Sequence, residues 1–162
     1  MLIVCTQDPT IIAWTQSQAS NSAAWGNVKY ITVGQNQAAA TLQFERYISL
    51  LAANEPLCLS AHGNDTEIGD AASGGANWGW TATQIAAMLN AGAAGNQGPI
   101  LTSVCSKNIS NFSANLAVTL KQLGAMHGVW IYGYNRATST TQPYPSPSTL
   151  SKQVDLQGTQ VG

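Results

Sequence analysis

His62 and Cys105 are the residues of this chain whose types and settings are best suited to chemistry. A thiol with an imidazole in reach is a nucleophile provided with its own base. A free thiol titrates near pH ~8.5, and the thiolate is the form that attacks. An imidazole beside it takes up the thiol proton, or holds the two as an ion pair, and later protonates the leaving group. The chemistry of such a pair is acyl transfer through a covalent acyl intermediate. Each residue directly follows an apolar run, in Leu57-Cys-Leu-Ser-Ala-His62-Gly63 and in Ile100-Leu-Thr-Ser-Val-Cys105. Gly63 permits a tight turn just after the histidine and leaves its N–H accessible. With the N–H of Cys105 it makes a pair of donors for the oxyanion of a tetrahedral intermediate. Taken singly, a cysteine after an apolar run is more often a small buried hydrophobe, and a histidine before glycine more often a turn residue. Their joint placement is what favours chemistry. Cys5 and Cys58 lie within apolar runs and read as core, and His127, after a helix stop, reads as a turn or surface residue.

The elements that must position this pair are legible from periodicity. Leu2 to Cys5 is a short buried strand, and Asp8-Pro9 caps and opens a helix to about Ser20. Val28 to Val33 is β-branched and ends at Gly34, a second strand. From Asn36 the apolar residues Ala40, Phe44, Tyr47, Ile48 and Leu51 recur on one helical face. Leu57 to Ala61 is the third strand. The glycine-rich stretch 64–80 is a long loop with room for a small hairpin. Thr81-Ala-Thr-Gln84 has the form of a capping box, and Trp80 and Ile85 stand at the positions of a hydrophobic staple. That helix is expected to stop at Gly92. Ile100 to Val104 is a fourth strand, Phe112, Leu116, Leu120 and Leu123 mark a helix closing at Gly124, and Val129 to Tyr134 is a fifth strand. Strands alternating with helices imply parallel pairing and right-handed crossovers, hence a doubly wound, mostly parallel α/β sheet in three layers. Segment 137–153, with Pro143, Pro145 and Pro147, is expected to be exposed and loop-like, and Val154 to Leu156 to form a last edge strand. The 162 residues suit a single domain.

In open α/β sheets, ligands bind outside the carboxyl ends of the strands, and His62 and Cys105 both stand there. Adjacent strands run about 4.8 Å apart, so the pair meets if those two strands are neighbours. The helix beginning near Asn111 would turn its positive end toward the same edge and favour thiolate.

Composition narrows the alternatives. Charged residues make up 8% of the chain, against about 25% in an average domain. A net charge of -1 and six Lys plus Arg leave no electrostatic footprint for nucleic acid or an anionic membrane, and little colloidal repulsion against self-association. Three cysteines without a CxxC argue against a disulfide scaffold or a structural zinc site. Neither GxGxxG nor GxxxxGK[ST] occurs, so no cofactor is expected, and the Asp and His spacing offers no metal site. No basic, apolar and small-residue sequence opens the chain as a secretory signal would, and no apolar run reaches the ~18 residues of a membrane span. A cytoplasmic protein is the default, with signal-independent export open.

The two strand ends resemble the signature of the caspase-like cysteine peptidases of clan CD. There an apolar strand ends in His-Gly and a second ends in a small residue and Cys. The Gly-rich stretch after HGN, the TATQIAAMLNAG helix, the SNFSANLAVTLKQLG helix and the VWIYGY strand are similar in order to the branch of self-processing peptidase domains of bacterial toxins. Val104 stands where that family more often has Ala, Gly or Ser. The resemblance implies a caspase-like fold over about residues 1–136 and an endopeptidase acting on peptide or protein, with self-processing in 137–153. It makes Cys105 the nucleophile, His62 the base or ion-pair partner, and Gly63 an oxyanion donor. It also implies a pocket for the residue before the scissile bond. Asp65, Glu67 and Asp70 could receive a basic side chain there, Arg136 an acidic one, and Trp78 would wall the cleft. A non-catalytic binding module and another thiol-dependent acyl hydrolase or deamidase use the same features.

Overall fold

In the computed structural model, residues 1–70, 78–105 and 109–162 are described, Cys105 by its backbone alone. The first strand, β1 (Leu2–Val4), pairs in parallel with β2 (Val28–Tyr30) on one side and with β3 (Leu57–Gly63) on the other. Beyond β3 follow β6 (Ile100–Cys105) and β7 (Trp130–Tyr134), both parallel, and β8 (Leu156–Gln160), antiparallel to β7. The order β2-β1-β3-β6-β7-β8 is extended by an antiparallel pair, β4 (Glu67–Asp70) and β5 (Trp78–Thr81), which joins the free edge of β3. Among the described residues eight strands thus form one mostly parallel sheet, and helices flank it in a three-layer α/β/α arrangement.

Alternation along the strands sorts the core into two faces. Ile3, Leu57, Leu59, Ile100 and Ile131 face α3 (Gln37–Ile48), α4 (Ala82–Ala93) and α5 (Ser110–Leu123), through Phe44, Ile85, Leu89, Phe112 and Leu116. Leu2, Val4, Cys58, Leu101 and Tyr132 face the other way. They are covered by Ile11 of α1 (Pro9–Ser17), by Trp25 just past α2 (Ala19–Ala23), and by Tyr144 and Leu150.

Segment 137–153 is mostly exposed and loop-like as expected, but two buried residues anchor it to that second face. Tyr144 and Leu150 are buried, the Trp25 indole donates to the Pro145 carbonyl at 2.9 Å, and the Trp14 indole to that of Gln142 at 3.2 Å. A short 3-10 helix, Pro147–Lys152, follows. The segment completes a layer, because one helix pair at the amino end leaves half of this face bare.

Helix ends follow their caps. Asn36 accepts from the Ala39 N–H at 2.9 Å, and Gly124 ends α5 at φ 69 in the left-handed region that glycine enters without strain. At Thr81 the backbone N–H donates to Gln84 Oε1 at 2.8 Å while Gln84's N–H reaches Thr81 Oγ1 at 3.3 Å, completing the capping box. Gly92 does not stop α4, which continues to Ala93. A Cβ at Gly92 would lie 3.1 Å from Ile48 Cγ1, so the glycine lets α3 and α4 approach. Strand β2 ends at Tyr30, short of the expected Val33, because its neighbour β1 is only three residues long.

Candidate active site

Strand β3 runs two residues farther than expected, through His62 and Gly63. On one side β1 stops at the level of Ser60, and β4 takes over the vacated edge, with His62 opposite Gly69 and Gly63 opposite Ile68. On the other side β6 stays in register to its last residue, placing His62 directly opposite Cys105. The two strands are immediate neighbours, about 4.8 Å apart. Positions 58, 60 and 62 of β3 alternate onto the α1 face, as do 101, 103 and 105 of β6, so both positions share one face.

The imidazole is held by a group outside the sequence-derived pair. Asp8, in the loop between β1 and α1, brings Oδ2 to 2.8 Å from His62 Nε2, with side chains only 16% (His62) and 21% (Asp8) exposed. The other oxygen of Asp8 accepts from the Thr10 N–H at 2.6 Å and caps α1. Partial burial pushes the Asp8 carboxyl up, but the bonds from His62 and Thr10 outweigh that and hold it below its ordinary value. A carboxylate at Nε2 keeps the proton on that nitrogen. Sequence reasoning missed this role because the cap already accounted for Asp8. The available signal was its place just past a strand end, on the edge where the histidine also sits.

Gly63 is a strand residue, and the turn comes after it, where Asn64 Oδ1 accepts from the N–H groups of Thr66 at 2.8 Å and Glu67 at 3.1 Å. Glycine is required for space: a Cβ would lie 2.6 Å from the Glu67 carbonyl oxygen and 2.7 Å from Val104 Cγ1. The N–H of Leu57 donates to Pro99 in the β6 direction, and alternation turns that of Gly63 the same way. The parallel rung at His62 and Cys105 then uses Gly63 N–H with the Cys105 carbonyl, and Cys105 N–H with the Ala61 carbonyl. Both N–H groups expected to face an oxyanion therefore point into the ladder in this register.

The expected specificity residues scatter. Trp78 is 3% exposed and belongs to the core: its indole donates to the Gly34 carbonyl at 2.8 Å and its ring lies 5.2 Å from Trp80. It does not wall a cleft, because the β4–β5 pair folds it inward. Arg136 binds Asp155 with 2.7 and 3.1 Å contacts, so its charge is already matched. Asp70 is buried and accepts from Thr6 Oγ1 at 2.8 Å and the Gln7 N–H at 3.0 Å. Asp65 and Glu67 are exposed, and Asp65 accepts from Asn111 Nδ2 at 3.4 Å, tying the start of α5 to this turn. A narrow crevice lies two residues back from the two strand tips, lined by Ile11, Ser60, Ser103, Thr140, Gln142 and Tyr144. Its lining is hydroxyl-rich and uncharged.

Cys5 and Cys58 are fully buried free thiols, and desolvation pushes both well above their ordinary value. They are inert core. The side chain of Cys105 lies outside the described residues. Among the described residues no group of three His, Cys, Asp or Glu could hold a metal ion, and no helix is long and apolar enough to cross a membrane. No family model, curated protein or solved structure matches this chain.

Proposed function

We propose that the chain is a cysteine peptidase of caspase-like type, cutting peptide or protein substrates through an acyl-enzyme. The observation that supports it best is the register of β3 and β6, which sets His62 beside Cys105 at neighbouring carboxyl-terminal tips, with the Asp8 carboxylate on the imidazole. In this reading Asp8 fixes the tautomer of His62, and Nδ1 takes the proton of the Cys105 thiol. The thiolate attacks the scissile carbonyl carbon, forming a C–S bond and an oxyanion. The imidazolium gives its proton to the leaving nitrogen as the C–N bond breaks, and the free amine departs. Water, deprotonated by His62, then attacks the thioester, and the thiol is restored. The last rung of the β3–β6 ladder must open for the Gly63 and Cys105 N–H groups to bind the oxyanion. Self-processing within 137–153 would have to spare Tyr144 and Leu150 or expose the second core face.

One observation favours a second reading. With both N–H groups held in the sheet, the same cleft serves a non-catalytic binding module. A deamidase or ester hydrolase would use the peptidase's own atoms on another carbonyl.

Iodoacetamide labelling at neutral pH, read by peptide mass spectrometry, tests the activated thiol. Cys105 is expected to react far ahead of Cys5 and Cys58 and to lose that lead in His62→Ala. A peptide library incubated with the parent and with Cys105→Ala then tests turnover. Equal labelling of all three thiols, or cleavage that survives Cys105→Ala, ends the proposal.

A further inference from the structure

The short loop between β1 and α1 carries Asp8, and the structure shows what holds that loop. Beyond the end of β1 the sheet position is occupied by β4, running the opposite way along the same edge of β3. Asp70, the last residue of β4, therefore meets β1 end to end. Its carboxylate, 1% exposed, accepts from Thr6 Oγ1 at 2.8 Å and from the Gln7 N–H at 3.0 Å. Thr6 is fully buried, and its hydroxyl in turn accepts the Asp8 N–H at 3.0 Å. A single hydroxyl thus donates to one carboxylate and accepts from the backbone of the residue that carries the other. Asp8 passes the constraint on to His62 Nε2 at 2.8 Å. The Gln7 side chain fastens the same loop to Gly34, donating to its carbonyl at 2.8 Å and accepting its N–H at 3.1 Å.

Capping of α1 does not need this arrangement, since Asp8 Oδ1 and Thr10 suffice for it. A buried carboxylate is costly unless every oxygen is matched, so Asp70 is an expensive way to fasten a loop. We infer that Thr6 and Asp70 are positioning residues that hold the Asp8 carboxylate against the His62 imidazole, coupling the β4–β5 pair to the site. This rests on the roles proposed above for His62 and Cys105. The hydroxyl of Thr6 is the joint: Thr6→Val keeps its shape but removes the acceptor of the Asp8 N–H and one of the two donors to Asp70 Oδ1.

The test uses the full chain with 15N-labelled histidine, in which His127→Gln assigns the two imidazoles. In the parent, the Nε2–H of His62 is expected as a slowly exchanging downfield proton held by a carboxylate. Thr6→Val should lose that signal and slow iodoacetamide alkylation of Cys105 by on the order of ten- to hundredfold, the scale of a misplacement near 1 Å. Thr6→Ser, which restores the hydroxyl, should regain both. A merely structural role would move thermal stability and leave the Nε2–H signal in place. Should Thr6→Val fail to fold, Asp70→Asn, nearly the same shape without the charge, is read in the same way. A folded Thr6→Val or Asp70→Asn with the parent's signal and alkylation rate overturns the inference. A parent whose Cys105 is no more reactive than Cys5, but whose signal vanishes in Thr6→Val, sinks the peptidase reading and leaves the positioning network standing.

Discussion

Asp8 does two jobs with two oxygens, and substitutions separate them. Asparagine caps a helix about as well as aspartate, so Asp8→Asn should leave α1 intact. It removes the charge facing His62, and the alkylation rate of Cys105 at neutral pH is expected to fall on the order of tenfold, about one pKa unit of lost pairing. The linkage sign follows from the depressed value of Asp8 in the folded protein. Its contribution to stability is complete above the unfolded carboxyl value, near pH ~3.9, and is lost as pH falls through the folded value. Acid titration of the melting temperature should therefore be less steep below about pH 4 in Asp8→Asn than in the parent. The positions of His62 and Cys105 at the ends of two strands were legible from the apolar runs that precede them. Asp8 was legible only as a cap, because its second oxygen answers to a residue 54 positions away.

At the scale of elements, the site depends on how long β3 stays straight. Gly63→Ala places a methyl group against a backbone oxygen and Val104, where the β4 edge and β6 leave no room. A loss of about 1–3 kcal/mol in denaturant unfolding is expected, together with slower labelling of Cys105 as the tips part. An alanine variant as stable as the parent would mean that β4 can move aside. The carboxyl-terminal segment offers a second test. The Tyr144 hydroxyl, pushed up to about 12 by burial, lies 2.7 Å from Thr15 Oγ1 and 2.8 Å from Ser60 Oγ. Tyr144→Phe leaves both hydroxyls short of a partner and should cost about 1–3 kcal/mol, measurable by thermal melting. Here the prolines and serines marked the exposed connection, and only its two buried anchors were not foreseen. The order of strands and helices, by contrast, follows from periodicity, and the cap at Thr81 and the stop at Gly124 occur where the residues placed them.

For the whole molecule, weak charge and open sheet edges act together. The net charge is -1 with a pI near 6.0, and β8 is an outer strand whose sequence, LQGTQ, carries neither charge nor proline. Such edges are templates for further pairing. Sedimentation at rising concentration should show self-association that is greatest near pH 6 and recedes as the pH moves to about 9, where net charge grows. Unchanged monomer throughout that range would show that the edge is adequately guarded.

Local pattern alone was enough for the alternation of strands and helices, their caps, the parallel sheet and the placement of His62 and Cys105 at strand ends. These depend on side chains within a few positions of one another, and periodicity records them. Register, strand exchange at the edge and the pairing of distant carboxylates are different in kind. That β4 replaces β1 beside β3, that the last rung occupies the Gly63 N–H, that Trp78 turns inward and that Asp8 reaches His62 were decided by tertiary structure. Each depends on which distant backbone a strand end meets, a choice made by packing both faces of the sheet at once.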